Sequence, residues 1–401
     1  MSARLFCFLL LVLTADGVMT FMTPVVVYML TGSIEYSGLS YAVWWLPRLV
    51  LIPLIGRCID TIGIKPLSIL SDGIKTAGCL FLMFYDTADP LFIAVSFGVV
   101  GSLISIGNSQ TLIAYEKLVA TLSRAREHHV NLISRVDFLG MIVGPVVGML
   151  LIDFGYKYLL VIPCTFYLLN AGYFSRMRWG EAGIERGKVA SSIRNRPSVS
   201  SLSLIFSVPV LMGITVLAMA NNMFDGLVES SGAALVELNM SLPVKYFGLI
   251  DVVAGIFGVL GTYAYGVARV KLKRPCLFLM GLFFVVVPSF FLIVFSESFA
   301  VFVSCYAMSI FGKVMCGNIS RMIRIELIPA HRFASASSLM VMFNQSVLPL
   351  VGISLFFLQG GTHAVYSLML LSVTVALASG CFVVWALGRV PDQGEADVPV
   401  R

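Results

Sequence analysis

The sequence predicts an all-α integral membrane protein with twelve transmembrane helices in two six-helix pseudo-repeats. Of its 401 residues, 58% are hydrophobic and only 12% are charged, and the mean hydropathy is +0.94. Soluble domains contain about 25% charged residues. Apolar runs long enough to cross a bilayer, which takes about 20 residues, follow one another along the whole chain. The third observation is a weak internal similarity between the two halves of the chain.

The spans are predicted from apolar runs bounded by glycine, proline and charge clusters. The first run, from Leu5 to Leu30, is too long for the hydrophobic part of a signal peptide and is not followed by a small-residue cleavage site. It is therefore predicted to be the first span. The predicted spans cover residues 5–30, 38–56, 66–85, 90–114, 131–152, 158–175, 205–229, 244–267, 275–295, 298–320, 334–358 and 364–388.

The distribution of basic residues predicts the orientation. With the N-terminus inside, only Lys157 and Lys245 lie in outer loops, whereas most of the 27 Lys and Arg residues lie in inner loops and tails. Because cytoplasmic loops carry the excess of basic residues, both termini are predicted to be cytoplasmic, which requires an even number of spans. The predicted location is a bacterial inner membrane.

The longest inner loop, residues 176–204, divides the chain into two bundles. A six-helix bundle at 1–175 and another at 205–401, with a short cytoplasmic tail, are predicted. Ala15–Met19 aligns with Ala220–Phe224, and Gly144–Gly148 aligns with Leu348–Gly352, at a common offset of about 204 residues. Two such halves are expected to flank a central substrate site.

The turn after the second span contains a recognisable motif, GRCIDTIGIK, from Gly56 to Lys65. It resembles the G-x-x-x-D-x-x-G-x-[RK] signature of the major facilitator superfamily, although Thr61 stands where a second basic residue is usual. In that family the motif latches the cytoplasmic side and takes part in the switch between outward-facing and inward-facing states. The resemblance implies this role for Gly56, Asp60, Gly63 and Lys65.

The fifth span contains a second glycine-rich motif, at Gly140, Gly144, Pro145 and Gly148. Small residues at helical spacing allow close helix contact in lipid, and proline permits a kink. The pattern resembles the G-x-x-x-G-P-x-x-G motif of exporters in the superfamily and implies a tight contact that limits leak during antiport. An ordinary glycine-rich crossing is the alternative. The arginine that proton-coupled exporters carry in span 4 is missing, so that relay cannot be transferred.

Charged residues inside spans are costly and usually functional. Asp16 and Asp225 are the predicted proton-coupling residues. Asp16 lies near the midplane of span 1, and an ion pair with Arg48 is an alternative role that is compatible with coupling. Asp72 and Lys75, three residues apart, are predicted to form a structural ion pair.

Other intramembrane polar residues are candidates for the substrate path. Because Asn221, Asp225 and Glu229 recur every four residues, they share one helix face. A solvated position at the outer end of span 7 is the alternative for Glu229. The buried cations Arg48 and Lys313 favour an anionic cargo. The candidates are Trp44, Arg48, Asn221, Asn222, Glu229, Asp251, Lys313, Asn344 and Gln345.

These features lead to a functional prediction. The expected protein is a secondary active transporter that exports a small polar, anionic metabolite by proton antiport. The run WWLPR at 44–48, followed by the Gly56–Lys65 motif, resembles bacterial drug and siderophore exporters. This resemblance implies a carboxylate siderophore as the best specific cargo. A proton-coupled importer and a ferroportin-like metal exporter, which also uses an aspartate in span 1, are the alternatives. The four histidines fall outside the predicted spans and the eight cysteines form no CxxC pair, which disfavours a metal site.

The same features weigh against other classes. A receptor or scaffold would need neither intramembrane charges nor a repeat, and no catalytic or nucleotide-binding motif indicates an enzyme. No cofactor, bound metal or nucleic acid is expected. The expected partners are the lipid bilayer, the substrate and protons, and the expected state is a monomer.

Overall fold

A computed structural model of the chain describes residues 3–122, 126–176 and 199–388, which contain α-helices, short 3-10 turns and no strand. The N-terminal half contains α1 (Ala3–Thr31), α2 (Ile34–Ile62), α3 (Ile64–Phe84), α4 (Pro90–Leu122), α5 (Arg126–Leu151), α6 (Tyr156–Leu159) and α7 (Val161–Arg176). The C-terminal half contains α8 (Val199–Ser207), α9 (Pro209–Leu238), α10 (Phe247–Ala268), α11 (Arg274–Val294), α12 (Phe299–Leu327), α13 (Ala330–Leu358) and α14 (Gly361–Leu387).

These helices form twelve rods within the described ranges. Helices α6 and α7 together form the sixth rod, and α8 and α9, which are separated by a bend at Val208, form the seventh. Eleven of the rods are long and apolar enough to cross a membrane. The other is α2, whose described part contains Glu35 and Arg48 and is less apolar. The prediction of an all-α, twelve-helix membrane protein is confirmed.

Several helices extend beyond their predicted spans. Helix α2 begins at Ile34, before the predicted start at 38, and α9 continues to Leu238 instead of ending at 229. Helix α8 begins at Val199, inside the predicted linker 176–204, and residues 177–198 of that linker lie outside the described residues. Hydropathy marks only the apolar part of a rod, whereas the hydrogen-bonded helix continues into polar sequence at both ends.

Helix packing follows the repeat predicted from the 204–205 offset. The contact of α1 with α5 corresponds to that of α9 with α13, and the contact of α2 with α4 corresponds to that of α10 with α12. Between the halves, α2 packs on α13 and α5 packs on α10. Exchanging the halves turns each of these two interfaces into the other, as an approximate two-fold axis requires.

The glycine motif of α5 packs directly on α1. A Cβ atom on Gly144 would lie 2.4 Å from the backbone carbon of Gly17, and one on Gly148 would lie 2.2 Å from the ring of Phe21. The carbonyl of Pro145 lies against Gly248 of α10, in the other half. The motif therefore produces the close helix contact expected of it, and its role in limiting leak stays a prediction.

We expect Gly144→Ala to destabilise the protein, because the added methyl group would meet backbone atoms of Gly17 and Val18 that cannot rotate away. Overpacking of this kind costs about 1–3 kcal/mol. The measurement is the thermal unfolding midpoint in detergent. Gly172→Ala in α7 is the matched control, because its Cβ would have no atom within 4 Å. Equal midpoints for the two variants would contradict the prediction.

In the described part of the chain, the two halves share an apolar core on one side only. We call the face where α1 begins and α14 ends the terminal face, and the opposite one the far face. Towards the far face the halves share one apolar core, in which the rings of Phe21 and Phe247 stack 6.4 Å apart. Towards the terminal face each half has its own core, around Tyr115 in one and Phe278 in the other. The described residues of the two halves therefore separate towards the terminal face.

Candidate functional site

A buried ion pair lies inside the N-terminal half. The ammonium of Lys75 in α3 donates to Oδ1 and Oδ2 of Asp16 in α1, at 2.9 and 3.2 Å. The hydroxyl of Tyr167 in α7 donates to Asp16 Oδ1 at 2.7 Å, and the same ring lies 4.8 Å from the ammonium. This Asp16–Lys75–Tyr167 group, which we call the N-half triad, ties three helices together.

The N-half triad corrects two predicted pairings. Asp16 does not pair with Arg48, and Lys75 forms its ion pair with Asp16 instead of Asp72. Asp72 accepts a hydrogen bond from Nδ2 of Asn170 at 2.6 Å. Spacing along α3 places Asp72 and Lys75 close together, but it cannot reveal that α1 offers Lys75 a better partner.

A similar group lies in the C-terminal half. Lys313 of α12 donates to Asp225 Oδ1 of α9 at 2.5 Å, and Tyr306 donates to the same oxygen at 3.3 Å. The ammonium also lies 4.6 Å from the centre of the Phe224 ring. Asp225, on a neighbouring helix, is therefore the ion-pair partner of Lys313.

The C-half group is less buried than the N-half triad. The side chains of Lys313 and Asp225 are 9% and 22% exposed, against 0% and 5% for Lys75 and Asp16. It borders a cavity of about 220 Å³ between α9, α12 and α13. The polar residues that line this cavity are Asn221, Asn222, Asp225, Lys313, Ser320, Arg324 and Asn344.

The candidate amides are placed differently around this cavity. Asn222 donates from Nδ2 to the backbone oxygen of Asn344 at 2.7 Å, which joins α9 to α13. Oδ1 of Asn221 is buried without a hydrogen-bond partner among the described residues. Gln345 is partly buried on α13 and is not part of the cavity lining.

Glu229 links the two halves. The hydroxyl of Tyr41 in α2 donates to Glu229 Oε2 in α9 at 2.7 Å, and one turn away Ser37 Oγ donates to the backbone oxygen of Ser230 at 2.6 Å. Glu229 lies nine residues, or about 13 Å, before α9 ends at Leu238. It therefore does not lie at a solvated helix end, as the alternative interpretation of the sequence required.

Arg48 of α2 is largely buried and has no carboxylate within salt-bridge distance in the described ranges. Its guanidinium donates to Ser105 Oγ of α4 at 3.0 Å and lies 4.8 Å from the Trp45 ring. Its Nε is buried without a hydrogen-bond partner in the part of the chain that the structure describes. Asp137 of α5 and Glu229 lie near enough to interact with it electrostatically.

Asp251 and Trp44 are the two remaining substrate-path candidates. Asp251 lies between Gly248 and Gly255, the α10 residues that contact α5, and forms no ion pair or hydrogen bond with the described residues. Trp44 was predicted to line the substrate path, but its ring packs on Gly101 of α4 inside the N-terminal half. Trp45, one residue later, takes its place beside Arg48.

The predicted switch motif lies at the α2–α3 turn. Gly63 caps α2 with φ at +93°, a value that favours glycine, and its N–H donates to the oxygen of Ile59 at 3.2 Å. Lys65 is partly buried in the first turn of α3. The surroundings of Gly56 and of the Asp60 side chain lie outside the described residues.

The family model of the Major Facilitator Superfamily matches residues 5–352. The chain belongs to the Major Facilitator Superfamily. It is accordingly a transporter and not an enzyme. No characterised protein sequence matches this superfamily member at significant similarity.

Solved structures share the fold of this superfamily member. A bacterial homologue of the iron transporter ferroportin, inward-facing, has a TM-score of 0.74 at 18% identity and covers 97% of this chain and 100% of its own. Its outward-facing state has a TM-score of 0.59, also at 18% identity, with coverage of 96% and 99%. A bacterial homologue of the human lysosomal transporter Spinster, inward-facing, has a TM-score of 0.71 at 13% identity and covers 96% of each chain.

Sequence reasoning missed the tyrosines and one serine of this transporter's polar groups. Tyr41, Tyr167 and Tyr306 each donate to a buried carboxylate, and Ser105 accepts from Arg48. Tyrosine is ordinary in membrane helices, so its presence alone carries no signal. The available signal was the charge itself, since each buried carboxylate needs donors from neighbouring helices.

Proposed function

We propose that this superfamily member is a secondary active transporter that exports a small polar, anionic metabolite by proton antiport with alternating access. A carboxylate siderophore is the specific cargo proposed. The observation that supports an anionic cargo is Arg48, a partly buried guanidinium without a carboxylate partner within salt-bridge distance among the described residues. It lies on α2, which packs on α13 of the other half.

The geometry of Arg48 suits a carboxylate ligand. A guanidinium presents parallel N–H donors that match both oxygens of a carboxylate. One of its N–H groups, on Nε, has no partner among the described residues, and the Trp45 ring lies 4.8 Å from the guanidinium carbon. Lys313 contributes less to anion binding than the sequence suggested, because Asp225 already neutralises it.

Four intramembrane carboxylates, described next, provide sites for exchangeable protons. Asp16 and Asp225, proposed for coupling from the sequence, are each held by a lysine and a tyrosine. Glu229 and Asp251 have no cation within salt-bridge distance in the described part of the chain. Burying an unpaired carboxylate costs free energy, and binding of a proton removes that cost.

Direction and location complete the proposal. The contact of Gly140 and Gly144 with α1 supports export, since the exporter-type motif is placed where it can seal one half. We place the protein in the bacterial inner membrane as a monomer, with the terminal face cytoplasmic. The open terminal face is then the side from which cargo would enter. A proton-coupled importer is the alternative on the same geometry.

A metal exporter is the second candidate, and the neighbours described as a ferroportin homologue and a bacterial metal transporter favour it. Two observations weigh against it. Lys75 neutralises Asp16, the carboxylate on α1 that such a role would use. Among the described residues no group of three or more His, Cys, Asp or Glu side chains could hold a metal ion.

Flux into proteoliposomes tests the proposal. Purified protein is reconstituted with an imposed pH gradient and offered radiolabelled hydroxycarboxylates, a carboxylate siderophore and, separately, Fe²⁺ and Mn²⁺. We expect accumulation of a carboxylate in the direction opposite to proton movement. Co-movement with protons would replace antiport by symport and support the importer. Metal flux without carboxylate flux would support the metal exporter.

A further inference from the structure

The N-half triad and the neighbouring Asp72 form a polar network with two carboxylates and one ammonium among the described residues. Asp72 is 1% exposed, Asp16 is 3% exposed and Lys75 is fully buried. Lys75 makes its ion pair with Asp16, which also receives the Tyr167 hydroxyl. Asp72 receives one hydrogen bond, from the neutral amide of Asn170. With both carboxylates ionised, the network carries one uncompensated negative charge.

Among the residues that the structure describes, the helices around Asp72 supply no second cation. Asp16 faces it from α1, Tyr115 from α4, and Tyr167 from α7, while Lys75 lies on α3 itself. The thiols of Cys79 on α3 and Cys164 on α7 border the same network. An unbalanced charge in the membrane interior is costly, so a monovalent cation is needed to balance it.

Packing favours a proton over a metal cation. A Cβ atom at Gly107 of α4 would lie 2.3 Å from Cε of Lys75 and 2.7 Å from Oγ of Ser71, so α4 is pressed against this face of α3. Buried atoms Asn170 Oδ1 and Tyr115 Oη have no hydrogen-bond partner in the described ranges. A protonated carboxyl group needs no additional cavity volume. It also adds an O–H donor to a network that contains oxygen atoms without a hydrogen-bond partner in the described ranges.

We propose that the carboxyl group of Asp72 carries a proton in this conformation and that this buried position is a binding site for the coupling proton. The site is coupled electrostatically to Arg48, which lies on α2 against the other half. Asp16 interacts electrostatically with Asp137, and Asp137 interacts with Arg48. The coupling role rests on the proposed function, whereas the presence of the proton does not depend on any cargo.

Infrared difference spectroscopy of the purified full-length protein detects the proton directly, as the carbonyl band of a protonated carboxyl group that shifts in D₂O. We expect Asp72→Asn to lose the intensity of one such group relative to wild type. Asp16→Asn should lose it too, because Asp72 then ionises to balance Lys75. Lys75→Met should gain one, because both carboxylates then carry protons. Asp89→Asn, in an exposed turn, should leave the band unchanged.

The spectra decide the inference without a substrate. A band that keeps its full intensity in both Asp72→Asn and Asp16→Asn overturns it, and so does a band that sodium removes at constant pH. If Asp72→Asn fails to fold, Asp16→Asn still decides. In proteoliposomes, Asp72→Asn should lose gradient-driven accumulation and retain cargo exchange. Wild type without carboxylate flux would contradict the proposed function, while the infrared result would stand by itself.

Discussion

Replacing Arg48 with glutamine is expected to raise the half-saturating cargo concentration at least ~30-fold. Loss of one partner from a buried hydrogen-bonded charge pair costs about 2–5 kcal/mol, and 1.4 kcal/mol corresponds to a factor of ten. The guanidinium between Trp45 and Ser105 is the cation proposed to hold the carboxylate of the cargo. The measurement is the concentration dependence of carboxylate flux in proteoliposomes.

Two variants sharpen this prediction. Arg48→Lys keeps the charge but loses the paired donors, so its affinity should fall between wild type and Arg48→Gln. Arg269→Gln removes an exposed arginine after α10 and should leave flux unchanged. Unchanged half-saturation in Arg48→Gln, with normal folding, would show that the cargo does not bind through this residue.

Replacing Lys75 with methionine is expected to lower the free energy of unfolding by about 3–5 kcal/mol at neutral pH. Removal of one partner leaves the other unbalanced, so the almost fully enclosed Asp16 has to take up a proton that the unfolded chain does not bind at neutral pH. Because the unfolded chain also binds this proton at low pH, the loss should shrink as the pH is lowered. Unfolding in detergent, followed by tryptophan fluorescence at several pH values, measures the effect.

The double variant Asp16→Asn with Lys75→Met provides the control. It removes both charges of the pair, so most of the lost stability should return. A double variant as unstable as Lys75→Met would show that Lys75 stabilises the protein through packing on Tyr167 and Gly107, and not through its charge.

Much of the architecture could be predicted from the sequence, because span length, apolar composition and glycine spacing are local properties. The number of rods, the division into halves and a close helix contact at Gly144 follow from these patterns, but only the structure shows that α1 is the partner helix. Helix ends were less predictable, since α9 carries polar residues beyond its apolar stretch and remains helical to Leu238. Because the predicted span ends at residue 229, the sequence assigns Glu229 to a helix end, whereas in the structure it lies within the bundle.

The charged residues of the candidate site could be predicted from the sequence, but their ion-pair partners could not. The cost of burying charge marks Asp16, Arg48, Lys75, Asp225 and Lys313 from the sequence alone. Their partners depend on which helices meet, and α1 meets α3 through Asp16 and Lys75 while Arg48 turns towards α4. Trp44 and Trp45 are adjacent in sequence, yet one packs on Gly101 and the other supports Arg48.

Composition, the basic-residue bias and the two glycine motifs are therefore enough to predict a twelve-helix transporter of this superfamily, because a bilayer imposes the same requirements on every chain that crosses it. Tertiary packing decided that Lys75 neutralises Asp16, that Lys313 neutralises Asp225 and that Arg48 is left without a carboxylate among the described residues. The physical reason is that an ion pair in the membrane interior forms between whichever charges the folded helices bring within a few ångströms, and sequence spacing within one helix does not contain that distance.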